Sequence, residues 1–261
     1  MLDEGTFRLL IFGSLLVFLL FAEYIAPRRG NSVVGRGRIL SNLLIGILNT
    51  LALRFVLPVS AVGIALVAET KDLGLFNQFA LSNTLVVLCS IVLLDLVIYW
   101  QHRIFHLVPI FWRLHRMHHS DVDLDVTTAI RFHPIEILLS MLLKVGIVLL
   151  LGVPLLAVVI FEALLSSCAL FNHANIKLPL KVDRWVRALI VTPDMHRVHH
   201  SVHNNETNSN YGFCLSVWDR IFSSYTAQPR DSHENMQIGL LGFRSKRLQT
   251  VHKLLLQPFV R

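Results

Sequence analysis

Residues 95–120 read DLVIYWQHRIFHLVPIFWRLHRMHHS, and this stretch decides the fold. It closes a long apolar run and then carries His102 and His106 in HRIFH, and His115, His118 and His119 in HRMHH. On a helix, positions i, i+3 and i+4 share one face. Each box is therefore expected to present its imidazoles to a common point at the edge of an apolar layer. A later HRVHH repeats the second pattern with His196, His199 and His200. Buried neutral imidazoles without a metal would leave ring nitrogens unsatisfied, which is costly at low dielectric. Eight nitrogen donors exceed the roughly six that one ion accepts, so two metals are expected.

Working outward, the 261 residues are 54% hydrophobic and 16% charged. An ordinary soluble domain has roughly 25% charged residues, so a water-soluble globule is excluded. Of the 13 histidines, most fall between His102 and His203. Cys89, Cys168 and Cys214 are scattered, giving neither a disulfide framework nor a thiolate zinc site. A net charge of +7 is compatible with nucleic acid, an anionic membrane or an acidic protein. In so apolar a chain no nucleic-acid partner is expected.

A membrane span needs about 20 mostly apolar residues. Residues 9–26 contain one charge, Glu23; residues 39–68 contain only Arg54, and Pro58 is expected to bend or break them; residues 73–99 contain only Asp95. Residues 137–171 hold Lys144 and Glu162 and are interrupted by Gly152-Val153-Pro154, which reads as two helices folded back on each other. The run after Arg8 lacks a small-x-small cleavage site and reads as a retained anchor. The fold class expected is all-α: an integral membrane helical bundle with a cytoplasmic helical cap holding a histidine-rich dimetal site. One domain is expected over residues 1–261. Residues 1–100 are mainly anchor, 101–230 carry the histidine boxes with a membrane hairpin at 137–171, and 231–261 form a basic tail. There is no internal repeat or low-complexity tract. Arg28, Arg29, Arg36 and Arg38 follow the first run, whereas Glu69, Lys71 and Asp72 mark a connection that is not basic. The positive-inside rule then puts the arginines, and with them every box, on the cytoplasmic side. The tail mixes Arg244, Lys246, Arg247 and Lys253 with Leu248, Val251 and Leu254–Leu256. It reads equally as a helix on an anionic surface or partner and as one packing on its own domain.

The segments DLVIYWQHRIFH (95–106), WRLHRMHHS (112–120), RFHPIE (131–136), FNHANI (171–176), MHRVHHS (195–201) and NSNYGFCLSVWDRIF (208–222) resemble, in order, the fatty acid hydroxylase and sterol desaturase superfamily. The match spans about half the chain. The resemblance implies an integral membrane non-haem di-iron enzyme that uses O2 and two electrons to hydroxylate or desaturate a lipid. It carries metal-ligand status to His102, His106, His115, His118, His119, His196, His199 and His200, with His173 as a ninth ligand. Where some relatives have a further histidine, this chain has Ala169. Phe222-Ser223-Ser224-Tyr225 stands where many relatives read Phe-Gly-Thr-Tyr.

Other residues receive smaller roles. His133 precedes Pro134 and reads as a cap or pocket residue rather than a ligand; His203 reads either way. Asp95 is expected to hydrogen-bond a ligand imidazole, or else to pair with Arg103 or another neighbour. Glu136 and Asp194 are expected in similar supporting positions, and Asp219 with Arg220 as a structural ion pair. Trp100, Trp112 and Trp218 read as interface or core aromatics. No residue beyond the metal ligands is expected to be catalytic, and no haem, flavin or nucleotide motif appears. The expected cofactors are two iron ions, with zinc as an alternative occupant. The expected partners are a lipid substrate, O2, the membrane and a separate electron-donor protein; the basic balance reads chiefly as membrane topology and secondarily as a face that recruits an acidic electron carrier. Two other classes stay open: a membrane zinc-dependent hydrolase, although HExxH is absent, and a non-enzymatic metal-binding or transport protein.

Overall fold

A computed structural model describes residues 4–30, 35–57 and 59–260. Among them there is no strand; the extended backbone forms only isolated bridges, such as Pro27 with Ile176 and Ser201 with Ile238. The bundle consists of α1 (Glu4–Ile25), α2 (Arg36–Val56), α3 (Ala61–Thr70), α4 (Asn83–Leu107), α6 (Pro134–Leu151) and α7 (Leu155–His173), with α5 (Pro109–His119) leaving it. Short helices α8 (Leu180–Val186), α9 (Pro193–His199), α10 (Asn204–Thr207) and α11 (Val217–Ile221) build the cap, and α12 (Val251–Leu256) closes the chain.

Among the described residues, four segments are long and apolar enough to cross a membrane: Gly37–Gln78, Asn83–Leu107, Pro134–Leu151 and Leu155–His173, with Leu9–Ile25 a shorter apolar helix. Their outward faces carry Phe18, Phe21, Ile47, Leu88, Leu142 and Leu150, all exposed. Apolar surface on this scale would drive aggregation in water, and a bilayer removes the penalty. Between lipid-bathed helices close packing replaces the hydrophobic effect, and small residues permit it. α3 accordingly turns Ala61, Ala65 and Ala68 inward, where the first two pack with Leu94, Val148, Ala157 and Phe161.

The long 39–68 run is broken where α2 ends at Val56 and α3 begins at Ala61, with the Ser60 side chain capping α3. Pro58 lies outside the described residues. Residues 137–171 form the expected pair of helices. Gly152, at φ 67, ends α6 in the left-handed region, and a side chain at Gly74 would meet the Gly152 backbone at 2.1 Å. The third run departs from its expected bounds. Leu75–Gln78 is a separate turn, Ser82 caps α4, and α4 continues past Tyr99 to Leu107. The Ser82 hydroxyl supplies a helix start that hydropathy does not register.

The arginines after α1 do more than mark topology. Arg28 bonds Asp194 and Glu234, Arg29 donates to the carbonyls of His233 and Met236, and Arg38 pairs with Asp121 and Asp125. The loop and the histidine-bearing cap therefore lie at the same end of the bundle. The tail packs on its own chain: Leu254 is buried against Ile45 and Met117, and Arg116 donates to the carbonyls of Gln257 and Val260.

Candidate metal centre

Two prolines set the directions of the box helices. Val108 is extended ahead of Pro109, as a residue before proline must be, and Pro109 opens α5. The chain thus turns between HRIFH and HRMHH, so the second box faces the first. Pro193 likewise opens α9, capped by the Thr192 hydroxyl on the Met195 N–H.

Nine histidines converge in two buried groups. His102, His106, His115, His119 and His199 form the first, and His118, His173, His196 and His200 the second; within each, the candidate ligand atoms lie within 4.8 Å of one another. The boxes do not each serve one point, as their spacing led us to expect. His115 and His119 enter the first group while His118 enters the second; His196 and His200 enter the second while His199 enters the first. Around a helix, i+3 lies roughly 60° from i and roughly 100° from i+4, whereas i and i+4 are only about 40° apart, so a box lying between two centres divides. The groups adjoin, with the His119 and His200 rings stacked at 4.5 Å.

The ring nitrogens test whether a metal fits. His102 Nδ1 lies 2.8 Å from the Tyr211 carbonyl and His199 Nδ1 lies 2.6 Å from the Ser209 carbonyl. A carbonyl only accepts, so each Nδ1 carries the proton and each Nε2 a lone pair. Those two Nε2 atoms face each other at 3.0 Å, an arrangement that a cation between them would satisfy. Two nitrogens held about 2.1 Å from one metal at right angles would lie about 3.0 Å apart. In the second group, His173 donates Nδ1–H to the Ala169 carbonyl at 2.7 Å and turns Nε2 to those of His118 and His196, both at 3.1 Å. Nε2 of His106, His115 and His119 is buried without a partner. Burial holds the His118, His119, His196 and His200 imidazoles well below their usual pKa, and pushes His199 down to about 3. Neutral, desolvated imidazoles are the form that metals bind.

The supporting residues take different places. Glu136 accepts from His115 Nδ1 at 2.6 Å. His133 lies outside both groups. Its Nδ1 accepts from the Ile135 N–H and its Nε2 donates to the Leu255 carbonyl, so both nitrogens are spent. His203 contacts Asp231 at 3.1 Å, also away from the groups. Asp95 bonds neither an imidazole nor Arg103. It accepts from the N–H groups of Cys214 and Leu215 and from the Trp218 indole, tying down the loop that presents Tyr211. Asp194 serves arginines: burial raises its pKa, but Arg197, His233 and Arg28 outweigh this and hold it below the usual range. Asp219 and Arg220 do not pair. Asp219 accepts from the Tyr211 and Gly212 N–H groups and from Ser224 Oγ, while Arg220 reaches Ser216 and the Arg187 carbonyl. Ser223 occupies the left-handed region at φ 55, the conformation for which glycine is suited. Trp112 packs on His106 and His119, at 4.9 and 5.4 Å between ring centroids.

Several contributors carried no spacing signal. Asn208 Oδ1 lies 3.3 Å from His106 Nδ1. Asn210, at φ 51, clamps the Met195 carbonyl of the last box. Arg131, fully buried, donates to the Met117 carbonyl beside His118, and to Asn42, Ser120 and Gln249. Asn208, Asn210 and Arg131 lie within the motifs quoted above, and polar side chains inside those motifs were the available signal.

A cavity of about 320 Å³ opens against both groups, touching His102, His115, His118 and His196. Helical stripes wall it: Gly46, Asn49, Thr50 and Leu53 on α2; Ile98, Gln101 and Phe105 on α4; Leu165, Ser166 and Ala169 on α7. An apolar chain entering from the bundle would end between the two histidine groups.

The family described as Fatty acid hydroxylase matches residues 87–224. Ornithine lipid hydroxylase of Rhizobium tropici is 33% identical over 178 residues, covering 67% of this chain and 50% of that protein. Alkylglycerol monooxygenase of Homo sapiens is 31% identical over 135 residues, covering 51% of this chain and 29% of that protein. A very-long-chain aldehyde decarbonylase of Oryza sativa subsp. indica is 26% identical over 156 residues, covering 54% of this chain and 23% of that protein. The matched region thus spans half of the first of these relatives and under a third of the others. No solved structure matches the chain.

Proposed function

The chain belongs to the fatty acid hydroxylase family, and from that premise we propose that it is a membrane-bound di-iron oxygenase that hydroxylates, or desaturates, an alkyl chain of a lipid with O2 and external electrons. One observation carries the reading: a cavity continuous with the helical bundle ends on two adjacent all-histidine groups. His102, His106, His115, His119 and His199 would hold one iron, and His118, His173, His196 and His200 the other. Iron held there would supply the activation of O2 and the abstraction of hydrogen from an alkyl carbon.

The chain's own residues do the rest. Tyr211, Ser209 and Ala169 hold imidazole tautomers through their carbonyls, and Glu136 orients His115. The α2, α4 and α7 stripes exclude water and align the alkyl chain. Catalytic zinc centres use three protein ligands and an open position, so five imidazoles around one ion favour iron over a zinc hydrolase. The same-end placement of Arg28, Arg29 and Arg38 with the cap supports a cytoplasmic site, reached by a separate electron-donor protein. Residues 1–261 act as one domain in this reading.

Comparing the lipids of cells with and without the protein by mass spectrometry tests it. A lipid that gains one oxygen atom, or loses two hydrogens, only with intact protein is expected. An unchanged lipid profile with fully iron-loaded protein and reductant present would contradict it.

A further inference from the structure

Within the cavity wall, two amide side chains are only half used. Asn49, 7% exposed, donates Nδ2–H to the Phe132 carbonyl at 2.9 Å, and its Oδ1 is buried without a partner. Gln101 donates Nε2–H to Ser140 Oγ, and its Oε1 is likewise buried without a partner. Both line the cavity, from opposite helices, and both sit close to the metal groups. Gln101 precedes His102, and Phe132 stacks on the His118 ring at 4.3 Å. A buried carbonyl that no donor reaches is costly, and methylene groups cannot relieve it.

We propose that the cavity takes a lipid bearing hydroxyl or amide N–H donors, one given to Asn49 Oδ1 and one to Gln101 Oε1, and that these bonds fix which carbon lies between the histidine groups. The inference rests on the lipid-oxygenase reading and narrows its substrate to donor-bearing lipids. Asn49 and Gln101 are then specificity-determining residues. A plain alkyl chain fills the same volume but leaves both carbonyls unsatisfied, so discrimination comes from polar atoms rather than chain length.

The test is equilibrium binding to the full-length, iron-loaded protein in nanodiscs. The probes are a long-chain 1,2-diol with two free hydroxyls and its di-O-methyl ether of the same chain, and native mass spectrometry reads the bound ligand. The wild type should bind the diol at least roughly tenfold more tightly than the ether. Gln101→Met should lower that ratio severalfold while retaining iron and affinity for the ether. Asn49→Leu should do the same; because it also frees the Phe132 carbonyl, Gln101→Met is the cleaner variant. A wild type that binds both probes equally, or neither, overturns the proposal, as does an unchanged ratio in both variants. Binding needs no turnover, so a failed oxygenase reading would appear separately, as absence of any oxidised lipid.

Discussion

His199 and His102 meet Nε2 to Nε2 at 3.0 Å, each having given its Nδ1–H to a backbone carbonyl. No proton is left to bridge the pair, so the fold holds two lone pairs against each other in a buried site. A cation is the physical resolution. The same logic extends less strictly to His173, whose lone pair faces His118 and His196.

Alanine at His199 or His118 should therefore remove metal, not merely slow turnover. His199→Ala is expected to lower iron per chain by about half and activity by at least about a hundredfold, and His118→Ala to deplete the other group. His133→Ala is the contrast: both its nitrogens are occupied elsewhere, so iron content should stay at the wild-type level. Elemental analysis of the purified variants checks all three.

Glu136 holds His115 by a single short bond. Glu136→Ala should weaken iron binding by roughly 10–100-fold, as loss of such partners generally does. Glu136→Gln, which keeps an acceptor but not the charge, should fall between that variant and wild type. Titration of iron retention against a chelator would order the three proteins.

Asp121 sits fully buried between Arg38, at 2.8 Å, and Arg131. Removing it would leave the buried Arg131 without a carboxylate and Arg38 with Asp125 alone, and breaking a buried pair in this way costs about 3–5 kcal/mol. Asp121→Ala should thus be strongly destabilising in detergent, and iron should be lost with it, because Arg131 also fixes the Met117 carbonyl next to His118. Thermal unfolding followed by circular dichroism provides the measurement.

Acid should unfold the metal-free protein early. Unfolded histidine titrates near 6.5, whereas burial depresses the folded value, to about 3 for His199 and in the same direction for His118, His119, His196 and His200. The unfolded state then binds more protons below pH 6.5. The stability is fully present above 6.5 and is lost as pH falls toward the folded values, by up to about 1.4 kcal/mol per pH unit for each such histidine. Melting temperature of chelator-treated protein should be flat from pH 8 to 7 and drop steeply below about 6. A profile level down to pH 5 would show that the imidazoles are not buried as a cluster.

Much of this was legible in the residues themselves. Apolar runs marked the bundle helices, and the HxxxH and HxxHH spacings marked eight of the converging imidazoles. How the two HxxHH boxes divide between two groups was not, because that depends on the angle between α5 and α9, which Val108-Pro109 and Thr192-Pro193 set in three dimensions. Asp95 shows a second limit. A lone carboxylate in an apolar run signals importance, but two of its three partners are backbone N–H groups of residues 214 and 215, and backbone donors leave no trace in composition. Asn49 and Gln101 show a third, since a half-used amide is recognisable only once its other partner is known.

The central claim is that oxygen from O2 enters a lipid at this site. Iron-loaded protein in lipid nanodiscs, given a reductant and 18O2, should yield a hydroxylated lipid that carries 18O, with His199→Ala giving none. A hydroxylated product that takes its label from H2 18O instead, or equal product from wild type and His199→Ala, would contradict the account.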